Sequence, residues 1–368
     1  MQYNPRHVMT SSAPPPHSRL SDVDAQDALS GFDTLIDVRS ESEFAEDHIP
    51  GAISCPVLND RERAEVGTLY KQQSPFDAKK IGAALVAANI SRHLQTHFLD
   101  KPRNWRPLVY CWRGGERSGA MAHILSRVGW QVGRVRGGYK SYRRTVIAEL
   151  ETLPARFDWR VVCGMTGTGK SRLLRALQEQ GAQVIDLEEL AAHRGSVLGN
   201  LPDQSQPSQK MFESRLWSRL KLLSPERPVF VESESKKIGT LRVPESLISA
   251  MWASRCVVID APIAVRVGLL KDEYAHFLAD TETLNTQLDC LRSLHGTAVI
   301  ERWQALAHGG AWDELTEDLL VRHYDPAYTR AIVAHYPKLP QALHLELRDH
   351  SETAMQALAR EVADKVEL

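Results

Sequence analysis

Val161-Val-Cys-Gly-Met-Thr-Gly-Thr-Gly-Lys-Ser171 is the stretch that decides the architecture. A strand-like run, Trp159 to Cys163, passes directly into Gly-x4-Gly-Lys-Ser, and Arg172 to Gln180 then has helical spacing. A glycine loop between strand and helix turns backbone N–H groups toward an anion at the positive end of the helix. Gly164, Gly167, Gly169, Lys170 and Ser171 are therefore candidate phosphate-binding residues. Lys170 would neutralise outer phosphate charge, and the Ser171 hydroxyl is placed for a magnesium ion. Further buried strands are expected at Ala182 to Leu187, Pro228 to Val231 and Cys256 to Ile259, which makes an α/β unit. Glu232, after the second of these, ranks above Asp260 as the acidic residue on the metal side. Neither follows the full apolar-run-then-Asp form, so a non-nucleotide diphosphate is a candidate ligand. Arg266 and Lys271 read as solvated helix charges in preference to a lid on the phosphates.

Upstream, a strand at Leu108 to Tyr110 enters a second glycine-rich turn, Cys111-Trp-Arg-Gly-Gly-Glu-Arg-Ser118, followed by helical spacing from Gly119 to Val128. A cysteine between strand and helix is exposed to converging N–H groups and the helix dipole, which favour the thiolate below the ordinary value of about 8.5. Cys111 is the candidate nucleophile or chalcogen carrier. Arg113, Gly114, Gly115, Arg117 and Ser118 form its anion-binding loop. The same region holds a strand from Thr34 to Val38, a capping box from Ser40 to Glu43, a strand from Val132 to Val135 and a turn at Gly137-Gly138. Around that turn Arg134, Arg136, Lys140, Arg143 and Arg144 interleave with Tyr139 and Tyr142, a combination suited to single-stranded RNA.

A chain of 368 residues exceeds one ordinary core, so two domains are expected. We place a flexible leader at 1–20, one α/β domain at 21–150 and a second at 151–368, with a helical appendage over about 264–335 broken at Gly296 and Gly309-Gly310. With 43% hydrophobic and 25% charged residues and no long apolar run, neither disorder nor membrane residence is indicated. The first twenty residues lack a secretory h-region, which points to the cytoplasm. Five cysteines without a CxxC pair argue against disulfides and a zinc cluster. A net charge of −1 leaves RNA contact to local basic patches.

Asp37-Val-Arg39, Glu43-Phe44, His48-Ile-Pro-Gly-Ala52, the Cys111 loop and Gly137-Gly138 together resemble the rhodanese family. The loop departs from the usual sulfurtransferase form, which looks one residue shorter; Cys111 to Arg117 has the Cys-x5-Arg spacing of cysteine phosphatases. A longer loop makes a wider nest, able to seat phosphate or selenophosphate. The order of parts, with this loop upstream of Gly164 to Ser171 and His323-Tyr-Asp-Pro326 in the tail, resembles the tRNA 2-selenouridine synthase family. The fold class implied is an N-terminal rhodanese-like α/β domain followed by a P-loop α/β domain with a helical C-terminal appendage.

The resemblance implies a transferase acting on wobble 2-thiouridine of tRNA. Geranyl diphosphate would alkylate the sulfur and selenophosphate would then replace it with selenium. Selenophosphate synthetase would be the donor's source and no cofactor would be tightly bound. We assign the diphosphate to Gly164 to Ser171, with magnesium at Ser171 and Glu232, and the selenium step to Cys111. A competing expectation is a Cys-x5-Arg phosphatase fused to a P-loop NTPase.

Overall fold

The structure, a computed structural model, describes residues 19–27 and 31–366. The expected leader lies outside the described residues apart from Arg19 and Leu20. The chain divides after Arg143 into two compact units.

The first unit is built on a sheet of five strands: β1 (Leu20–Val23), β2 (Thr34–Asp37), β3 (Ala52–Ser54), β4 (Pro107–Tyr110) and β5 (Val132–Val135). Their order is β1-β5-β4-β2-β3 and every pairing is parallel. All four residues of β4 are buried, as a central parallel strand covered on both faces requires. The helices start where local chemistry can satisfy their free N–H groups. α1 (Glu41–Glu46) has the expected Ser40/Glu43 capping box, α2 (Asp60–Gln72) begins at Asn59, and α3 (Pro75–His93) begins at Ser74 with proline at its first position. α4 (Glu116–Val128) follows the cysteine loop, and α5 (Gly138–Leu150) follows the glycine pair. Ile36, Val109, Met121, Leu125 and Val132 pack in the core, where Trp105 and Trp130 meet edge to face at 5.0 Å. Cys111 therefore leaves the C-terminal end of the middle strand, the edge at which open α/β sheets bind ligands.

The second unit also has five parallel strands: β6 (Trp159–Cys163), β7 (Gln183–Ile185), β8 (Val229–Glu232), β11 (Arg255–Asp260) and β12 (Leu343–Glu346), in the order β12-β11-β6-β8-β7. Between them, β9 (Lys237–Ile238) and β10 (Leu241–Arg242) make a small antiparallel hairpin. α6 (Lys170–Glu179) starts from the phosphate loop after the central β6. α7 (Leu187–Ala191), α8 (Gln209–Lys221) and α9 (Glu245–Trp252) connect the strands. A helical region then runs through α10 (Ile263–Glu273), α11 (Ala275–Ala279), α12 (Thr281–Asp289), α13 (Arg292–His295), α14 (Thr297–His308), α15 (Trp312–Leu319) and α16 (Asp325–His335). Breaks fall at Gly296 and at Gly309-Gly310. α17 (Glu352–Val366) returns to the sheet and packs Met355, Leu358 and Val362 with Leu173, Leu174 and Leu177 of α6. No helix among the described residues is long and apolar enough to cross a membrane.

Candidate functional site

The cysteine loop is held by backbone contacts that only glycine permits. Tyr139 and Lys140 donate their N–H groups to the carbonyls of Cys111 and Trp112, at 2.8 and 3.0 Å. Gly138, at φ +60, lies so close that a Cβ there would stand 2.2 Å from the Cys111 carbonyl oxygen and 2.5 Å from the Gly114 nitrogen. Cys111 is buried, and its Sγ lies 3.2 Å from the Ser118 hydroxyl. Beneath the loop Arg39 is fully buried. It forms a fork with Asp37 at 2.6 Å, donates to the Asp47 carbonyl at 2.6 Å and stacks 4.0 Å from the Tyr139 ring. The rhodanese-like Asp37-Val-Arg39 thus supports the loop from below.

Around Cys111 the cations differ in availability. Arg113 is exposed and has no ion-pair partner among the described residues. Arg117 instead donates to Glu43 at 2.9 Å, and Arg117 and Arg63 together hold the Glu43 carboxyl below its usual range against the effect of burial. The expected RNA patch is altered in a similar way. Arg134 pairs with Asp22 at 2.9 Å and Arg136 with Asp24 at 2.8 Å, while Lys140 and Arg144 are exposed. Tyr139 and Tyr142 are core residues, so the stacking part of that expectation is not met: the apolar face of α5 takes both rings inward. Cys55 has His93 and His97 near it, but it is a core thiol that burial pushes up to about 12. His93 bonds the Pro56 carbonyl at 2.9 Å.

In the second unit the phosphate loop brings together Gly164, Gly167, Gly169, Lys170 and Ser171. Gly167 and Gly169 take φ +81 and +78, and a Cβ on Gly164 would stand 2.7 Å from the Ile259 carbonyl oxygen. Lys170 Nζ folds across the loop to donate to the Gly164 carbonyl at 2.9 Å. The Gly164 N–H donates to the Tyr328 hydroxyl at 2.7 Å, and the Arg266 side chain donates to the Thr166 carbonyl at 2.8 Å. Arg266 is no solvated helix charge. It is 4% exposed and paired with Asp325 at 2.5 Å, because α10 passes directly behind the loop. Lys271 does sit at the surface, paired with Asp313. The tail segment His323-Tyr-Asp-Pro326 acquires a place as well. His323 and Tyr324 line the phosphate cleft, and Asp325 anchors Arg266.

The carboxylates beside Ser171 include one with no sequence signal. The Ser171 hydroxyl donates to Glu188 at 2.9 Å, and the Glu188 N–H donates to Glu232 at 2.8 Å. Glu232 ends the strand next to β6, opposite Val162, whereas Asp260 is exposed and contacts His344. Burial, reinforced by Glu234 nearby, raises the Glu188 carboxyl to about 8. Burial also raises Glu232 and Glu234. Glu232 Oε2 is buried without a hydrogen-bond partner among the described residues. Such a set of oxygen donors, crowded and under-satisfied, fits a magnesium ion.

Glu232 is buried, while Ser171, Glu188 and Glu234 line a cleft of about 680 Å³ whose cations beside Lys170 are Arg172, Arg175 and Arg194. An apolar pocket adjoins it, sharing Thr166, Leu270, Tyr274 and Tyr324, and is walled by Leu198, Phe277, Leu284, Trp312, Leu315 and Leu319. The six wall residues lie in the helical region or in the loop after α7, so helical periodicity shows them only as core residues.

Two family models match this chain one after the other. The family model for the rhodanese-like domain matches residues 21–145, and that for the tRNA 2-selenouridine synthase AAA domain matches 157–295. The tRNA 2-selenouridine synthase of Hydrogenovibrio crunogenus is 32% identical over 80% of this chain and 88% of its own length. The chain belongs to the tRNA 2-selenouridine synthase family. The synthase of Shewanella sp. (strain ANA-3) is 32% identical over 80% of this chain and 87% of its own. The synthase of Nitrosomonas europaea is 37% identical over 68% of this chain. For this and several other relatives the match spans just under two thirds of their length, 64–66%. Cys111 lies within the stretch matched by the rhodanese-like model, and Gly164 to Ser171 within the stretch matched by the AAA-domain model.

Proposed function

We propose that this chain is a transferase that converts wobble 2-thiouridine in tRNA to 2-selenouridine through S-geranyl-2-thiouridine, acting in the cytoplasm. The observation that carries the reading is the continuity of the phosphate cleft with an apolar, aromatic-walled pocket. A nucleotide would bring a polar base and sugar to that wall, whereas a prenyl diphosphate brings a hydrocarbon.

In the first step the thiocarbonyl sulfur attacks the carbon bearing the diphosphate. A C–S bond forms, the C–O bond breaks, diphosphate departs and the base loses its N3 proton. Lys170 and the loop N–H groups carry the charge that develops on the leaving group. Ser171, Glu188 and Glu232 would hold a magnesium ion, which when bound supplies further neutralisation of that charge. In the second step selenium from selenophosphate adds at C2 of the base and the geranyl thiol leaves, while water cleaves the P–Se bond to release phosphate. Cys111 activates the selenophosphate for this transfer without bonding to selenium, with exposed Arg113 and the loop amides of Gly114 and Gly115 on the phosphoryl oxygens. A selenophosphate synthetase would supply the donor.

Mass spectrometry of nucleosides from 2-thiouridine tRNA, incubated with enzyme and each small molecule omitted in turn, tests this. S-geranyl-2-thiouridine is expected without selenophosphate, and 2-selenouridine with both donors. Cys111→Ala should retain the first product and lose the second, whereas Lys170→Ala should slow the first step about 10²-fold or more. Unchanged tRNA beside hydrolysis of aryl phosphates would replace the reading with the phosphatase.

A further inference from the structure

Adjoining the phosphate cleft is a second one of about 530 Å³, which shares Ser233, Glu234, Ser235 and Tyr328 with it. That volume is in the range of sites that enclose a whole small molecule or a nucleotide. Its mouth carries the hairpin of β9 and β10, in which Lys237 and Arg242 stand directly opposite one another. Both are exposed, and neither side chain has an ion-pair partner among the described residues. Like charges directly across a strand pair repel, so this hairpin holds two cations together without an internal counter-charge.

The same cleft has an aromatic wall. Trp252 and His335 stack with centroids 4.3 Å apart and planes within 20°, and Lys236 Nζ lies 5.0 Å from the Trp252 ring centroid. Lys236 itself is paired with Glu245 at 3.0 Å. Deeper in, Tyr336 is 4% exposed, yet its hydroxyl has no hydrogen-bond partner among the described residues. A buried polar group left unpaired is costly and marks a place where a ligand can complete the bonding.

We infer that this cleft receives an unpaired nucleotide of the RNA substrate. Lys237 and Arg242 take the backbone phosphates, the Trp252–His335 wall supports the base, and the Tyr336 hydroxyl reaches a polar edge. The inference rests on the function proposed above and adds to it where the RNA enters. Two cations serve phosphate without reading sequence, stacking accepts any base face, and a single hydroxyl adds directional contact. The shared residues let a base held here face the phosphate loop, where the alkyl donor is bound.

The test uses full-length protein and two probes. One is a fluorescein-labelled anticodon stem-loop RNA carrying 2-thiouridine, read by anisotropy over a range of salt. The other is geranyl diphosphate, read by calorimetry. Lys237→Glu with Arg242→Glu should weaken RNA binding about 30-fold or more and reduce the salt slope by about 2. Trp252→Ala should weaken it about 5- to 100-fold, the range of one base–aromatic stack. Geranyl diphosphate affinity should stay within about twofold in both variants, which also reports that the second unit is folded. RNA binding unchanged in both variants, beside a wild type that binds RNA, overturns the site and leaves the function standing. A wild type that binds no RNA overturns both.

Discussion

Glu188 carries the most distinctive chemistry of any single residue beside the phosphate loop. Its carboxyl moves from the ordinary 4.5 to about 8 because burial and Glu234 penalise ionisation. The folded protein therefore keeps a proton over a range in which the unfolded chain has lost it. The associated stability is complete below about 4.5 and is lost as pH rises toward about 8. Between about pH 5 and 8 the melting temperature without ligand should fall, and Glu188→Gln should reduce that slope without abolishing it, since Glu232 and Glu234 are raised in the same direction. Differential scanning fluorimetry across pH checks this. Lys170 and Ser171 were legible from spacing, since their role depends on a backbone path written in consecutive residues. Glu188 was not, because its position at the start of a short helix becomes a site only when β7 and β8 are adjacent.

At the scale of elements, the turn at Gly137-Gly138 and the cysteine loop form one interlocked unit. Ala at 138 would press a methyl group into the Cys111 carbonyl, 2.2 Å away. Gly138→Ala should cost about 2–3 kcal/mol in urea unfolding and lose selenium transfer. Gly51→Ala, also at positive φ but with nothing within 4 Å of the new Cβ, should cost only about 1–2 kcal/mol and spare the reaction. The strands flanking both loops and the cap of α1 could be read directly, because burial and capping leave local patterns. β1, β3 and β12 are edge strands whose residues are mostly half-buried or exposed, so no apolar run marks them. The basic segment around α5 misled for a related reason: composition shows that tyrosines lie among arginines, but not that the rings point inward and that Asp22 and Asp24 meet the charges.

Across the whole chain, the phosphate loop depends on the last described helix. Met355 Cε lies 2.7 Å from where a Cβ on Gly169 would stand, and Leu358 is buried against α6. Leu358→Ala should cost about 2–5 kcal/mol in urea unfolding and weaken binding of geranyl diphosphate, measured by calorimetry. By itself the sequence determined the tandem α/β architecture and the two loops, since an anion nest needs only a few consecutive residues with the right backbone freedom. Tertiary structure alone decided what surrounds those loops. Tyr328 meets Gly164 from 164 residues away, Arg266 finds Asp325 across 59, and the apolar pocket and basic hairpin exist only where helices and strands remote in the chain are packed together. Burial and pairing are properties of neighbours in space, and residue spacing along a chain does not name them.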